Sequence, residues 1–469
     1  MARASSDIRD LGTSPADRDL LRAFYTDLFI PAFADADERE SLVNIQRYLE
    51  LKAAGWYGAN NYHIRVLLDG GRLVGGTIAD YLAGPNTGVI EFLVVAPGQR
   101  ERGLGRRLLD DVETALAEDA RAAGAPGLRA VVAEMNDPFH GSFAPDSMDP
   151  FTRLLVWSRW GYSKLDFPYV QPALSAQQRP VASMLLAWKP ASETGDAVAA
   201  DIVKHVVHEY MRWAMRIEQP QHSAEFTGMA RHLDGRAQVA LLPLDHYAGY
   251  DRARPFVIRE ITAGDADLPA VRAIYEAHFR DGASAMEAAA LGSEPAGASR
   301  RRDDHAYHLW ALRPTPEAPV AGLASFFTLA DTGFGGYIVL APPLRGTGRL
   351  PLLLARIETQ MVRDRFGASG WYIECGDAVL ATFGRVGFYE VAIPYRQPPL
   401  RPGGPAPVLH LLYKPFGRVY APPTLSGAAL LASLRRIQRV VYAIDRPEGE
   451  AVYRDLAREI DGRAVVPLR

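Results

Sequence analysis

Apolar residues follow two rhythms along the chain, and both rhythms come round twice. In the first half, Tyr62–Leu68 and Arg72–Tyr81 are β-rich and are joined by Asp69-Gly70-Gly71, a hairpin signal. Val89–Val95 is a continuous apolar run, which predicts a strand buried on both faces. From Gly103 to Ala123, Leu104, Leu108, Leu109, Val112 and Leu116 share one stripe and predict an amphipathic helix. Leu128–Ala133 and Val181–Trp188 read as further strands. The second half repeats the order with His305–Leu312, Val320–Leu329, Tyr337–Leu340, a helix from Leu350 to Arg365, and Trp371–Glu374. Strands interspersed with helices predict a mixed α/β sheet in each half. Helical spacing returns after each core, at Ile202, Val206, Tyr210, Met211 and Ala214 and at Leu430, Leu434, Ile437, Val441 and Ile444. These stretches are expected to be helical appendages packed on the cores or on each other.

Direct matches tie the halves together. Gly161-Tyr-Ser-Lys-Leu-Asp-Phe-Pro-Tyr-Val-Gln-Pro-Ala-Leu174 and Gly387-Phe-Tyr-Glu-Val-Ala-Ile-Pro-Tyr-Arg-Gln-Pro-Pro-Leu400 share a Gly-aromatic start and Pro-Tyr-x-Gln-Pro-x-Leu. Lys189-Pro190 recurs as Lys414-Pro415, Ile217-Glu-Gln-Pro220 as Ile444-Asp-Arg-Pro447, and Asp234-Gly235-Arg236-Ala237 as Asp461-Gly462-Arg463-Ala464. A near-constant offset argues for a repeated unit of about 230 residues, the size of one large domain. The expected organisation is a core over 1–190, a helical appendage or linker over 191–253, a second core over 254–415 and a C-terminal helical appendage over 416–469.

Composition narrows the function. The 469 residues include 52 basic and 55 acidic side chains, a net charge of −3, with 48 % hydrophobic and 23 % charged residues. That balance excludes wholesale disorder and gives no global pull toward nucleic acid or an anionic membrane. Cys375 is the one cysteine, so neither an intrachain disulfide nor a multi-cysteine zinc site is possible. Met1–Asp7 has no apolar targeting segment and no run reaches membrane-spanning length, so the chain is expected in the cytoplasm without a membrane partner. Lysine is scarce (Lys52, Lys164, Lys189, Lys204, Lys414), which, with abundant Ala, Gly and Pro, is read as GC-rich bacterial coding bias. His205-x-x-His208 has ligand spacing without an acidic or cysteine partner nearby, so no metal is expected.

The segment richest in chemistry is Glu91-Phe-Leu-Val-Val-Ala-Pro-Gly-Gln-Arg100-Glu-Arg102-Gly103-Leu-Gly105-Arg-Arg. An apolar strand enters a Pro-Gly turn, and Arg-x-x-Gly-x-Gly opens a helix. Glycines let backbone N–H groups converge, and the helix N-terminus adds partial positive charge, which suits a pyrophosphate. A dinucleotide fold is disfavoured because the third glycine is missing at its proper spacing.

With Val95 and Pro97 included, the segment resembles motif A of the GCN5-related N-acetyltransferases (the GNAT superfamily). Glu134-Met135-Asn136, followed by a helix reaching Arg159-Trp160-Gly161-Tyr162, is similar to motif B. The resemblance covers both cores and implies a tandem member of that superfamily, with two GNAT-like mixed sheets flanked by helices. It further implies acetyl-CoA or another acyl-CoA as cosubstrate and no metal. Phe92, Leu93, Val94 and Val95 would hold the pantetheine, with an N–H near Leu93 or Val94 as oxyanion donor. Arg100, Arg102, Gly103, Leu104 and Gly105 would hold the pyrophosphate, with Arg106 one turn on and Asn136 at the neighbouring strand end. The base for a direct attack of an amine on the thioester is Glu91 or, second, Glu134. The family's thiolate-protonating tyrosine is replaced by Trp157 and, in the second core, Phe383, so Tyr162 or Tyr169 substitutes or the thiolate leaves unassisted.

The second core departs further from motif A. Pro342, Arg345 and Gly348 match, but Leu350 stands for the last small residue and Gly336 for Glu91, so it is expected to be a non-catalytic copy with bulk pushed toward its cradle. Glu374 and Asp377 echo Glu134 and Asp137. The first core carries extra residues within Asn136–Pro150, where Asp137, His140, Asp146 and Asp149, joined by Asp35, Asp37, Glu38 and Glu40, are candidates to face an amine. The expected function is N-acylation of a small amine. The alternatives are a non-catalytic acyl-CoA sensor or scaffold, and a GNAT-fold enzyme acting on a carrier-bound acyl group. The oligomeric state is not fixed by the sequence.

Overall fold

Ser14 and Ser41 each open a helix by accepting an amide three residues on, from Asp17 at 3.2 Å and Asn44 at 3.1 Å. The computed structural model describes residues 6–141, 148–192, 195–253, 255–262, 264–279, 300–400 and 403–469. It divides between Leu244 and Asp245 into two compact units. The first begins with β1 (Ser6–Asp10), α1 (Pro15–Phe24), the one-turn α2 (Ile30–Ala32) and α3 (Leu42–Ala53). It continues through β2 (Asn61–Asp69), β3 (Arg72–Leu82), β4 (Thr87–Val95), α4 (Leu104–Ala122), β5 (Ala130–Asn136), α5 (Pro150–Arg159), β6 (Ser163–Leu165) and β7 (Met184–Pro190). After these come β8 (Ala197–Ala199), α6 (Ala200–Trp213), α7 (Ala224–Leu233) and β9 (Gln238–Pro243), and α8 (Leu244–Tyr247) marks the boundary.

The strands form one mixed sheet in the order β1-β2-β3-β4-β5-β7-β6-β9-β8, parallel at β4–β5 and antiparallel elsewhere. The β2–β3 turn has both central glycines at positive φ, Gly70 at 58° and Gly71 at 77°, as a tight right-twisting hairpin demands. Leu21, Phe24, Ile45 and Leu49 of α1 and α3 bury against Tyr62, Ile64, Ile78, Phe92 and Val94 on one sheet face. Leu104 and Leu108 of α4 pack with Leu67 and Val95, of opposite strand parity, and with Val74, which a register shift between β2 and β3 turns to the same side.

Two local irregularities shape the middle of this sheet. Ile78 pairs with Phe92 but Ala79 pairs with Ile90, so Glu91 is the extra residue of a β-bulge. The parallel β4–β5 pairing runs from Thr87–Ala130 to Ile90–Ala133 and stops there. Beyond that point the two strands border a cavity instead of each other.

The appendage of the first unit is not purely helical, contrary to expectation. β9 pairs with β6, and β8 pairs with β9, so the segment extends the main sheet. Without it β6 would be an open edge, which folded proteins cover. β5 also outruns its expected end, because Glu134 and Asn136 continue the ladder to β7 although they are polar.

The second unit holds β10 (Val257–Glu260), α9 (Leu268–His278), β11 (Arg300–Arg301), β12 (His305–Arg313), β13 (Gly322–Leu329) and β14 (Thr332–Leu340). These are followed by α10 (Arg349–Asp364), β15 (Gly370–Cys375), α11 (Asp377–Arg385), β16 (Tyr389–Glu390), β17 (His410–Pro415), α12 (Gly427–Val440) and α13 (Ala451–Ile460). Its sheet runs β10-β12-β13-β14-β15-β17-β16, with β11 also on β12. Here too the parallel pair, β14–β15, stops early, at Gly335–Ile373. Glu390 and Arg469 exchange both backbone hydrogen bonds at 2.9 Å, so this appendage also returns to its sheet. No helix among the described residues is long and apolar enough to cross a membrane.

Candidate active site

The split between β4 and β5 receives a carboxylate from each strand. Glu91 sits on the bulge and Glu134 one residue past the last β4–β5 pair. A cavity of about 680 Å³ fills the split, lined by Glu91–Val95 on one side and Glu134–Asn136 on the other. Trp157 and Trp160 of the α5 region wall it, Ala32, Phe33 and Glu38 reach it from the α2 side, and Arg100, Gly103, Leu104, Gly105 and Arg106 stand at the start of α4.

The loop before α4 makes a cradle of backbone. Glu101 and Gly103 have φ of 64° and 76°, and Gly103 caps the helix without any side-chain bond. Open space surrounds the position of an added Cβ at Gly103, so its left-handed φ, not crowding, is what calls for glycine. The first α4 amides are therefore left for an anion, and the residues present fit a pyrophosphate. Arg100 is anchored through Nε to the Val95 carbonyl at 3.3 Å, and Arg106 pairs with Asp110 at 2.6 Å, a bond that raises its pKa. Arg102 lies apart from the cavity lining: it bonds Asp69 at 2.9 Å and is half exposed.

Glu134 is held from both sides. Tyr169 donates to Oε1 at 2.9 Å and Tyr210 of α6 to Oε2 at 2.7 Å. Burial pushes this carboxyl up to about 7, against the two phenols, which favour its ionised form. Glu91 is pushed well above the usual range by burial first and by the neighbouring Asp80 carboxyl second. Asn136 donates to Glu38 at 2.6 Å and accepts from Arg153 at 3.4 Å.

Several expected residues have other duties. Tyr162 does not line the cavity; its hydroxyl donates to Glu113 at 2.9 Å, beside Lys189, whose Nζ is 2.6 Å from the same carboxylate. Tyr169 is 2 % exposed and meets the cavity through Glu134, not directly. Asp137 is buried against Lys164 at 2.8 Å; burial raises its pKa, but Lys164 and His140 outweigh that and hold it below the usual range. Asp149 caps α5 through the Thr152 amide at 2.8 Å, Asp37 pairs with Arg179 at 3.1 Å, and Glu40 accepts from Tyr48 at 2.9 Å. Of that acidic set Glu38 lines the cavity; Asp146 lies outside the described residues. No group of three or more His, Cys, Asp or Glu among the described residues is arranged to hold a metal ion.

Two partners at the site escaped the sequence reading. Tyr210 had a visible helical spacing but no signal of its role. Asp80, a lone acid inside the apolar strand β3, was such a signal.

The second unit has its own cavity, about 760 Å³, at the corresponding split. Gly346 and Gly348 reproduce the positive φ of Glu101 and Gly103 at 68° and 72°. Leu350 lines this cavity without closing it. Glu374 accepts from Tyr395 and, at 2.6 Å, from Tyr442. Cys375 is buried and its thiol is pushed up to about 11 by burial, which keeps it protonated at neutral pH.

Residues 22–141 match the family model described as the acetyltransferase (GNAT) family. No curated protein matches the chain. Among solved structures, the chain is similar to a GNAT-family protein from Bacteroides thetaiotaomicron (15 % identity, 45 % of this chain and 99 % of that one, TM-score 0.33). It is similar to the ribosomal-protein-S18-alanine N-acetyltransferase from Escherichia coli (16 % identity, 41 % and 97 %, TM-score 0.27). A GNAT family acetyltransferase from Elizabethkingia anophelis with acetyl-CoA bound is a third (15 % identity, 39 % and 97 %, TM-score 0.24).

Proposed function

Since residues 22–141 form a GNAT acetyltransferase-family domain, we propose that the first unit is an acyl-CoA-dependent N-acyltransferase acting on a small amine. The observation that carries this reading is the cavity itself: a cradle for a pyrophosphate stands at its α4 end, the β5-facing edge of β4 runs along it unpaired past Ile90, and two carboxyls with raised pKa stand where β4 and β5 part. Acyl-CoA would supply the activated thioester. Phe92–Val95 would bond the pantetheine as an added strand does, and Arg100, Gly103, Leu104, Gly105 and Arg106 would surround its phosphates. A backbone N–H of Leu93 or Val94 would stabilise charge developing on the thioester oxygen.

Glu91 is the base: the acceptor's ammonium gives it a proton, the freed nitrogen attacks the carbonyl carbon, a C–N bond forms and the C–S bond breaks. Glu134, with both oxygens already engaged by the phenols of Tyr169 and Tyr210, orients the far wall. No phenol among the described residues lines the cavity, so the departing sulfur takes its proton from water or leaves as thiolate, tolerable for a group of pKa near 8.5. The acidic and aromatic lining of the cavity, with Glu38, Phe33 and Trp157, suits a primary amine carrying an apolar body.

The test is release of free thiol from acetyl-CoA against a panel of primary amines, with Glu91→Gln and Glu134→Gln compared across pH. Unchanged turnover in Glu91→Gln removes it as base. Saturable acetyl-CoA binding with no thiol release for any amine replaces this reading with that of a sensor.

A further inference from the structure

Arg216 follows α6 in a left-handed conformation, φ 59°, that a non-glycine residue adopts at a cost. Its guanidinium lies over three rings, 4.4 Å from Tyr48, 4.7 Å from Trp56 and 4.9 Å from Tyr57, and donates to the Tyr57 hydroxyl. Its Nε and Nη1 are buried with no hydrogen-bond partner among the described residues. Asp80 is 1 % exposed, and its Oδ2 is likewise buried without a partner. The Asp80 and Glu91 carboxyls act on each other's ionisation, and adjacent carboxylates cannot both ionise freely. Burial raises Asp80; Glu91 and the Arg216 charge oppose that rise.

The second unit shows what goes with what. Tyr62 faces Asp80 across β2–β3, and Tyr307 faces Phe327 across β12–β13. Glu91 corresponds to Gly336 by the β-bulge register, and Arg216 to Ala443, which keeps the left-handed φ at 54°. All three charges are absent together. The carboxylate between two phenols is kept, and so is a histidine between two carboxylates: His63 with Asp10 and Asp119, His308 with Glu260 and Asp364. What holds the fold was retained in both units, and Asp80, Glu91 and Arg216 behave as one separable group.

Resting on the acyl-transfer reading, we propose that Arg216 is a positioning residue for Glu91: seated in its aromatic box near Asp80, its charge sets the pH at which the Asp80–Glu91 pair gives up a proton and leaves Glu91 free to take the acceptor's. Other groups facing Glu91 are Glu134 from β5, Glu40 before α3, and the phenols of Tyr48, Tyr57, Tyr62, Tyr169 and Tyr210. Asp80 also feels His63 and Lys52. Those two cations are engaged by Asp10, whereas Arg216 makes no ion pair among the described residues. It is the charge left over to act on the pair. The proton passes from the acceptor's ammonium to Glu91, and no other bond changes in that step.

The experiment measures thiol release against pH for the full chain, Arg216→Gln, Arg216→Lys, and Arg216→Gln in an Asp80→Asn background. Alongside, carboxyl infrared difference titration of the ligand-free proteins reads ionisation of Glu91 directly, assigned by its loss in Glu91→Gln. Arg216→Gln should move the acid limb and the Glu91 band up by about one pH unit or more, as loss of a nearby opposite charge does. Arg216→Lys should restore most of that shift, and in the Asp80→Asn background the Arg216 effect should fall well below that value. If the band in Arg216→Gln titrates where the wild-type band does, the proposal fails; a protein that is merely destabilised would lose melting temperature and keep its profile. If no amine elicits thiol release, the acyl-transfer reading fails while the infrared titration still decides the role of Arg216. Should Arg216→Gln not fold, Arg216→Met, which removes the charge and keeps much of the side-chain bulk, carries the same titration, and an unmoved Glu91 band there overturns the proposal.

Discussion

The two units share a split sheet, a left-handed loop before the long helix and a carboxylate bracketed by phenols, yet they differ sharply at the bulge. In the first, the bulge carries Glu91 with Asp80 behind it. In the second, Ser325 fills that place: its hydroxyl accepts the Tyr337 amide at 2.9 Å, and a Cβ on Gly336 would lie 2.7 Å from that oxygen. The second site has been closed around small side chains, so a carboxylate there would have to displace Ser325 first. Its cavity is no smaller for it, about 760 against 680 Å³. Having a cavity and having a base are therefore separate properties of this architecture, and the proposed chemistry follows the base.

The sharpest way to break that contrast is at the bulge. Glu91→Gln should lower thiol release by roughly 10²–10⁴-fold, the usual range for a lost general base, while Glu374→Gln leaves it unchanged. Equal losses in both would mean that the second unit takes part in turnover.

Next comes a property the units should share. Burial lowers the pKa of His308, but Asp364 and Glu260 prevail and raise it to about 9. A histidine raised above its unfolded value stabilises fully below about pH 6.5 and loses that contribution as pH climbs through 9. His308→Gln should therefore cost roughly 2 kcal/mol in denaturant unfolding at pH 6 and close to nothing at pH 10, allowing for the partly exposed Glu260. His63 is raised in the same direction, so His63→Gln should follow the same slope. Opposite slopes would show that the two brackets are not equivalent.

A smaller effect is expected at the cradles. Gly103→Val forces a β-branched residue into φ 76° and should weaken acetyl-CoA binding by on the order of tenfold, read by calorimetry. Gly348→Val should leave thiol release unaltered. Smallest is the phenol bracket: Tyr210→Phe removes one donor to Glu134 and should cost about 1 kcal/mol of stability at pH 8. Because that phenol favours the ionised carboxylate, the Glu134 titration should also move up from about 7. Tyr442→Phe should match it in stability and leave the rate untouched.

How much of this was written legibly depends on distance along the chain. The cradle is contiguous, so Arg100, Gly103 and Gly105 were readable as a motif, and the strands beside it followed from their apolar runs. Arg216 and Tyr210 come from a later helix, and nothing local announces that they approach β4 and β5. The phenols are harder still. The capping bonds align Tyr210 with Ile437 and Tyr442 with Met215, so the two units reach the same carboxylate oxygen from different positions, and matching their sequences could not reveal it. β8 and β9 were missed because three- and six-residue strands carry too little periodicity. The helices before residue 60 were legible in their Ser14 and Ser41 caps and went unread. Arg102 shows the opposite failure: it fits the motif in spacing, but Asp69 at the hairpin turn captures it.

Trp56, 46 % exposed, stacks edge-on against Trp213 with ring centres 5.0 Å apart, and the Arg216 guanidinium rests 4.7 Å from the same indole. A cation held that close shifts the emission of an indole, so the aromatic box is also an optical gauge of where Arg216 is. Fluorescence of the full chain, taken as the difference from Trp56→Phe, would register any departure of Arg216 as an acceptor arrives, on the timescale of mixing and without a label.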